Sequence, residues 1–128
     1  MSWLLDTSVI VHLIERNPSV LENVSQLAGD LVISAVTKVE LEGGVVRNPA
    51  IAAARRQLLD EVLKSFEVLP FGDAAAICYG QIVTATGFSR RRVIDRMIGA
   101  HALAGNATLV TMNASDFRDI PGLALLAW

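Results

Sequence analysis

Short apolar runs alternate along this chain with segments of helical periodicity, and this alternation limits the folds open to it. Strands that are separated by helices pair in parallel, because the chain must cross one face of the sheet between them. The pattern therefore predicts an α/β fold, a three-layer α/β/α sandwich around a central, mostly parallel sheet. The predicted strands cover residues 2–5, 31–34, 66–69 and 107–111.

The segments between the predicted strands read as helices. Asn17-Pro18 and Asn48-Pro49 mark helix starts, because Pro fits the first turn of a helix, and Gly87 marks a helix end. The tail, residues 121–128, is expected to add an edge strand or to pack as an apolar arm. The predicted helices cover residues 7–15, 18–28, 37–44, 48–64, 73–86 and 93–104.

The composition indicates one domain with a surplus of apolar residues. A chain of 128 residues fits a single domain, 1–128, with a hydrophobic core of its own. Hydrophobic residues make up 52% of the chain, and the mean hydropathy is +0.45. Such a surplus favours an oligomer or partner interface. The net charge of −2 excludes a globally basic nucleic-acid-binding protein.

Several features favour a cytoplasmic protein. Cys78 is the only cysteine, and a lone cysteine outside any Cys/His cluster is typical of a reducing compartment. Asp6 comes too early for the basic and apolar regions of a secretory leader. Residues 97–115 lack charge over a length that suits a membrane span, but the turn signal at Gly105-Asn106 divides them into helix and strand. We therefore expect no membrane segment.

Four carboxylates stand beside apolar segments rather than within charged surface runs. Asp6 follows the first predicted strand, and Asp116 lies in the turn after the last one. Glu40 lies in the helix after the second strand, and Asp95 opens the helix before the last strand. Sites in such folds form beyond the carboxyl ends of the strands, so these four side chains are expected to converge. Like charges repel, so the cluster makes sense if a hard divalent cation neutralises it.

Three of these acids also have an ordinary structural explanation. Asp6 suits the N-cap of the helix that follows it. Asp116 suits the first turn of a short helix that Asn113 would cap. Thr37 and Glu40 have the spacing of a capping box, in which the glutamate reaches back to the amide of the N-cap residue. Each explanation removes one acid from the expected cluster.

Asp95 is the hardest of the four to explain as architecture. An acid in the first turn gains from the helix dipole, but that gain does not explain why it faces inward. The residues that share its stripe of the helix are Ile98, Gly99 and Ala102. Carboxylates without His or Cys partners favour Mg²⁺ or Mn²⁺ over zinc. Such a site indicates hydrolysis of a phosphodiester by a metal-activated water.

Four segments in this order resemble the PIN-domain ribonucleases, in particular the VapC-type toxins of toxin–antitoxin pairs. The resemblance spans essentially the whole chain, and the ending IPGL at residues 120–123 is also similar to this group. Gly99, where Ala is more usual, and the basic run before Asp95 are the departures. The segments are 4–10 (LLDTSVI), 34–41 (SAVTKVEL), 95–102 (DRMIGAHA) and 109–117 (LVTMNASDF).

The resemblance implies an endoribonuclease that depends on Mg²⁺ or Mn²⁺. It implies that Asp6 and Asp95 hold the metal, and that Glu40 and Asp116 complete the site directly or through water. It further implies a homodimer, and a cognate VapB-like antitoxin that blocks the site and joins the toxin in a larger assembly. Polar support is implied at Thr7, Ser8, Thr111 and Asn113.

Two further features suggest partner contacts. Arg90, Arg91 and Arg92 directly precede the Asp95 segment, where they would hold RNA phosphates or acidic groups of an antitoxin. The alternative is a solvated loop. The apolar helices predicted at 7–15, 18–28 and 48–64 are candidates for a groove that takes an amphipathic antitoxin helix.

Two other functions remain open at this level. One is a nuclease of the same fold that acts on DNA or structured RNA outside any toxin system. The other is a non-catalytic α/β binding module whose acids are helix caps and whose apolar surface binds protein. Stabilisation by Mg²⁺ or Mn²⁺ separates the enzyme from the binding module, because only a metal site binds the ion in the folded state.

Overall fold

The computed structural model describes all 128 residues and contains one five-stranded sheet. The strand order is β3-β2-β1-β4-β5, and every neighbouring pair is parallel. The predicted α/β class and parallel sheet are confirmed, and the tail supplies the edge strand β5. The strands are β1 (Ser2–Leu5), β2 (Asp30–Ser34), β3 (Glu67–Leu69), β4 (Thr108–Thr111) and β5 (Leu125–Ala127).

Six α-helices connect and cover the strands, and short 3₁₀ turns precede two of them. The segment predicted as one helix over 48–64 divides into a 3₁₀ turn, Pro49–Ile51, and a helix. No helix is long and apolar enough to cross a membrane. The helices are α1 (Thr7–Ile14), α2 (Pro18–Ser25), α3 (Ala35–Val46), α4 (Ala52–Leu63), α5 (Asp73–Thr86) and α6 (Val93–Ala104).

The sheet separates two hydrophobic cores, because successive residues of a strand point to opposite faces. On β1, Leu4 packs in the core beneath α5 and α6, whereas Leu5 packs in the core beneath α1 and α4. Leu109 and Val110 divide in the same way on β4. This division is the three-layer arrangement that the sequence predicts.

The strand order places a switch point between β1 and β4. From β1 the chain proceeds to β2 and β3 on one side, and it returns to β4 and β5 on the other. The backbone N–H of Asp6 continues the β1–β4 ladder by donating to the carbonyl of Val110 at 2.9 Å. In open α/β sheets a crevice forms outside the strand ends at such a point. Asp6 therefore lies at the position where this fold leaves room for a ligand.

The start of α3 corrects one prediction. The helix begins at Ala35, two residues before the predicted start, and Ser34 is its N-cap. The Ser34 hydroxyl accepts from the N–H of Val36 at 3.0 Å, so the last residue of β2 already caps the helix. Thr37 is consequently inside the helix, and the capping box proposed for Thr37 and Glu40 does not form. The carboxylate of Glu40 is free for another contact.

The C-terminal segment packs tightly on α6. A Cβ atom added at Gly99 would lie 2.6 Å from Cδ1 of Ile120, which is closer than carbon atoms approach. Ile120 is itself 4% exposed, so its side chain has little room to move. Gly99 thus allows the loop after β4 to lie against the helix that carries Asp95.

We expect Gly99→Ala to lower the free energy of unfolding by about 1 kcal/mol. Overpacking costs roughly 1–3 kcal/mol, and the better helix propensity of Ala returns about 1 kcal/mol of it. Ile120→Val removes the clashing methyl group, so the double variant should be more stable than the sum of the two single effects. Chemical denaturation of the four proteins measures this coupling, and strictly additive effects would contradict the packing contact.

Candidate active site

Asp6 is a buried carboxylate with three hydrogen-bond donors. It caps α1 by accepting from the N–H of Thr7 at 2.7 Å. Its other oxygen accepts from the hydroxyls of Ser8 at 2.9 Å and Thr111 at 2.8 Å. Asp6 is 5% exposed, and burial raises its pKa, while the hydrogen bonds from Thr111, Ser8 and Thr7 oppose that rise. The side chain is therefore both a helix cap and a charged group held in a fixed position.

Backbone amides of the β4 loop orient the two hydroxyls. The N–H of Met112 donates to the Ser8 hydroxyl at 3.1 Å, and the N–H of Asn113 donates to the Thr111 hydroxyl at 2.9 Å. A hydroxyl that accepts from an amide can direct its single hydrogen elsewhere. Both hydrogens consequently point to the Asp6 carboxylate. Ser8 and Thr111 each donate to the Asp6 carboxylate, whereas Asn113 contributes its backbone N–H here.

Glu40 reaches from α3 to the start of α1. Its carboxylate accepts from the hydroxyl of Thr7 at 2.6 Å. That hydroxyl also lies 3.1 Å from the hydroxyl of Thr37, and because it has one hydrogen, Thr37 is the donor in this second contact. Thr7 therefore donates its amide hydrogen to Asp6 and its hydroxyl hydrogen to Glu40. One residue thus connects two of the four predicted acids.

Asp95 lies in the first turn of α6 and has no side-chain hydrogen bond among those that the structure contains. Ile98, Gly99 and Ala102 on its stripe are all buried, as predicted. Burial raises the pKa of Asp95 to about 6, and the negative charges of Asp116, Asp6 and Glu40 contribute to this rise. The other three acids are therefore close enough to repel the charge of Asp95.

Asp116 lies in the 3₁₀ turn Ala114–Asp116 that follows β4. The turn is closed by the N–H of Asp116, which donates to the backbone carbonyl of Asn113 at 3.0 Å. The Asn113 side chain makes no capping bond, so the predicted side-chain cap is wrong. No three Asp, Glu, His or Cys side chains are grouped as ready metal ligands. Asp6, Glu40 and Asp116 thus lie near enough to Asp95 to act on its charge, but the four carboxylates do not converge on one point.

The three arginines that were predicted to contact RNA or an antitoxin form a 3₁₀ turn, Arg90–Arg92, directly before α6. Arg90 and Arg91 are exposed and Arg92 is half-buried. None of them is in an ion pair or a side-chain hydrogen bond. The charge of Arg92 lowers the pKa of Asp95 against the opposing effects of burial and the other acids. A free cationic segment thus lies beside the acidic region.

Sequence reasoning missed an ion pair between Arg96 and Asp119. The guanidinium nitrogens donate to both carboxylate oxygens, at 2.7 and 2.8 Å. Arg96 is 4% exposed, although it stands in an apolar helix, and its Nε has no partner. The sequence shows the charge of Arg96 directly after Asp95 in an apolar helix, which signals that this charge needs a partner. It does not identify Asp119 as the partner, because Asp119 lies 23 residues away in a loop.

His101 is a buried core residue. It is 7% exposed, and its Nδ1 lies 2.7 Å from the hydroxyl of Ser34. The edge of one ring meets the face of the other where His101 packs on Phe71. Burial lowers the pKa of His101, so its neutral form is favoured.

Comparisons with known proteins agree with this arrangement. The PIN domain family model matches residues 3–123. Ribonuclease VapC2 of Rickettsia felis is 33% identical over 135 residues, covering 100% of this chain and 98% of that protein. The tRNA(fMet)-specific endonuclease VapC of Shigella flexneri is 29% identical, with 100% and 98% covered.

Solved structures give the same answer. The VapBC2 complex of Rickettsia felis bound to a promoter DNA fragment contains a chain with a TM-score of 0.89 and 29% identity, covering 100% of this chain and 99% of that one. The DNA-bound VapBC complex of Salmonella typhimurium gives 0.87 and 26%, with 100% and 98% covered. The resemblance drawn from the four sequence segments is confirmed. This chain belongs to the PIN-domain family, and within it to the VapC-type ribonucleases.

Proposed function

We propose that the protein is the toxin of a type II toxin–antitoxin pair and acts as a metal-dependent endoribonuclease. The observation that supports this most directly is that the charges of Asp116, Asp6 and Glu40 all act on the half-buried Asp95, with Arg92 as the opposing cation. A fold that gathers four acids at its switch point stores repulsion unless a cation neutralises them. The full-length relatives that are named ribonucleases and endonucleases support the reaction class.

The donor groups fit a hard divalent cation. All four acids offer oxygen, and neither histidine nor cysteine is among them, which suits Mg²⁺ or Mn²⁺. Asp6 and Asp95 would hold the ion, while Glu40 and Asp116 would complete its environment directly or through water. When bound, such an ion supplies an activated water and neutralises charge on the phosphodiester.

The side chains around the proposed metal position have different roles. Asp6 is held in place by Thr7, Ser8 and Thr111, so it presents a fixed charge. Asp95 has no donor of its own, so its charge is available to a cation. Thr7 orients Glu40 towards the same region. Asn113 presents an exposed amide at the rim, where it would bind a water or the substrate.

The partners that we propose are RNA, a VapB-like antitoxin and a second copy of the chain. The free guanidinium groups of Arg90–Arg92 suit phosphates. An apolar groove of about 280 Å³ between α1, α2 and the end of α4 suits an amphipathic antitoxin helix. VapB is the partner in the solved complexes named above. The groove is lined by Leu13, Leu21, Val24, Leu31, Val62, Ser65 and Phe66.

We expect RNA cleavage to require Mg²⁺ or Mn²⁺, to stop with EDTA, and to fall at least about 100-fold in Asp6→Asn and in Asp95→Asn. Losing a ligand to the ion removes charge stabilisation that is worth several kcal/mol. Asp73→Asn is the matched control, because Asp73 also stands in the first turn of a helix but is exposed. Its cleavage rate should be that of the wild type. Activity that survives both site substitutions would falsify the mechanism.

Without metal, Asp95→Asn should raise the free energy of unfolding by about 1–2 kcal/mol at neutral pH. The pKa of Asp95 is about 6 when folded and near 3.8 when unfolded, so ionised Asp95 destabilises the fold. This penalty is full above pH 6 and fades as the pH falls through 6 towards 3.8, because the folded state then gains the proton first. Thermal melting in EDTA across this range measures it.

Asp6→Asn provides the contrast. It should not stabilise the fold, because an amide cannot accept from Thr7, Ser8 and Thr111 as the carboxylate does. Equal destabilisation in both variants would instead favour a non-catalytic module whose acids are helix caps. Added Mn²⁺ should raise the melting temperature of the wild type and reverse the advantage of Asp95→Asn.

A further inference from the structure

The connection between α5 and α6 exposes a large aromatic side chain. Phe88 is 69% exposed, and it is the only aromatic residue among the exposed large hydrophobic residues of the chain. Leaving a phenylalanine in water forgoes roughly 1.5–3 kcal/mol of burial free energy. A structural role does not explain it, because the ring is not packed in either core.

The backbone around Phe88 is fixed at both ends. Gly87 ends α5 with a φ of +86°, in the left-handed region that favours glycine. On the other side, the N–H of Arg92 donates to the carbonyl of Ser89 at 3.1 Å, and α6 begins at the next residue. Phe88 therefore sits on a short connection between two helices that pack against each other. The backbone that carries the Phe88 ring therefore has a defined position between α5 and α6.

Free positive charge follows the ring directly. Arg90 and Arg91 are exposed and unpaired, whereas Arg56 and Arg96 are in ion pairs with carboxylates. The rise per residue in 3₁₀ and α-helices places Arg90 about 10 Å or less from Asp95 along the backbone. An exposed aromatic ring, free guanidinium groups and one of the four acids thus follow one another within residues 88–95.

We propose that Phe88 stacks on an unpaired base of the RNA, and that Arg90 and Arg91 hold the adjacent phosphates. This inference rests on the proposed nuclease function and specifies how the substrate is selected. Single-stranded nucleic acids are bound in this way, by rings that stack on bases and cations that follow the backbone. Bases inside a duplex are already stacked on one another. Phe88, Arg90 and Arg91 would therefore select unpaired RNA over a duplex.

The test is binding of a labelled single-stranded RNA and of a duplex with the same sequence, measured by fluorescence anisotropy in EDTA. Phe88→Ala should weaken single-strand binding about 5- to 100-fold and leave duplex binding unchanged. Phe88→Trp should retain it, because indole also stacks. Ile77→Ala is the matched control, since Ile77 is 56% exposed on α5. Arg91→Gln should weaken both RNAs and reduce the salt dependence by about one charge.

Three results would overturn the inference: unchanged single-strand binding in Phe88→Ala, equal losses for single strand and duplex, or normal RNA binding with loss of antitoxin or of the dimer. The last result would assign the ring to a protein partner. All variants keep the four acids, so their repulsion of RNA is common to every measurement. A protein that binds single strands as expected but never cleaves them would remove the proposed enzyme and leave this inference standing.

The ion pair between the buried Arg96 and the half-exposed Asp119 supports a second, independent inference. Arg96 is next to Asp95 on α6, and Asp119 is three residues after Asp116 in the loop. Both guanidinium–carboxylate bonds are short, so the pair fixes direction as well as distance. The Nε of Arg96 is buried without a partner, which is costly for a charged group, whereas the Asp119 carboxylate remains half-exposed to water.

We infer that Arg96 is a positioning residue that sets the separation of Asp95 and Asp116. This also rests on the proposed site, but its test needs no metal and no substrate. In EDTA, Asp95→Asn and Asp116→Asn should be non-additive by about threefold or more in the unfolding equilibrium, because each relieves the same repulsion. Arg96→Lys keeps the charge but loses the forked geometry, so it should reduce this coupling towards zero.

Gly99→Ala is the control, because it disturbs the same helix–loop contact through packing and keeps the pair. A merely structural pair would leave the coupling unchanged in Arg96→Lys while lowering stability, and that result would overturn the inference. If Arg96→Lys does not fold, Asp119→Asn replaces it, since the Asp119 side chain is 50% exposed. A wild type without coupling between the two acids would also refute the positioning role.

Discussion

The structure depends on how one buried charge, Asp6, is satisfied at the switch point of the sheet. An ionised carboxylate without partners would cost far more than the fold can supply. Thr7 and Ser8 supply donors from the start of α1, and Thr111 supplies one from the end of β4. The same network therefore joins the first strand to a strand that is more than a hundred residues away. The contacts that join α1 to β4 at this point are therefore the same contacts that hold Asp6 in place.

The other acids are held less completely. Glu40 has one donor in Thr7, whereas Asp95 has burial and repulsion without a donor. A site that satisfied every acid internally would have no affinity for a cation. The structure instead gives Asp6 three donors and leaves Asp95 with none. An unsatisfied charge of this kind destabilises the fold locally, and a bound ligand relieves it.

The sequence predicted what depends on short-range pattern. The bounds of α5 and α6 follow from periodicity and from Gly87, and the parallel sheet follows from the alternation of strand and helix. The start of α3 was placed two residues late, because Ser34 serves both as the last residue of β2 and as the cap. Pattern alone does not assign one residue to two elements.

The side-chain contacts between distant segments could not be predicted from the sequence, for a physical reason. Thr7 and Glu40 are 33 residues apart, and Arg96 and Asp119 are 23 apart, so no helical or strand period relates them. The family resemblance placed the acids near one another, but the donors that distinguish Asp6 from Asp95 emerge only from the packed structure.

Capping a helix and belonging to a group of neighbouring acids are therefore not competing explanations for an acid at a helix start. Asp6 does both, because one oxygen satisfies the amide of Thr7 while the second collects two hydroxyls. Asp95 stands in a first turn as well, yet it accepts no bond there and raises the energy of the fold. The four acids thus differ in the number of donors that the protein supplies: three for Asp6, one for Glu40, and none for the side chains of Asp95 and Asp116.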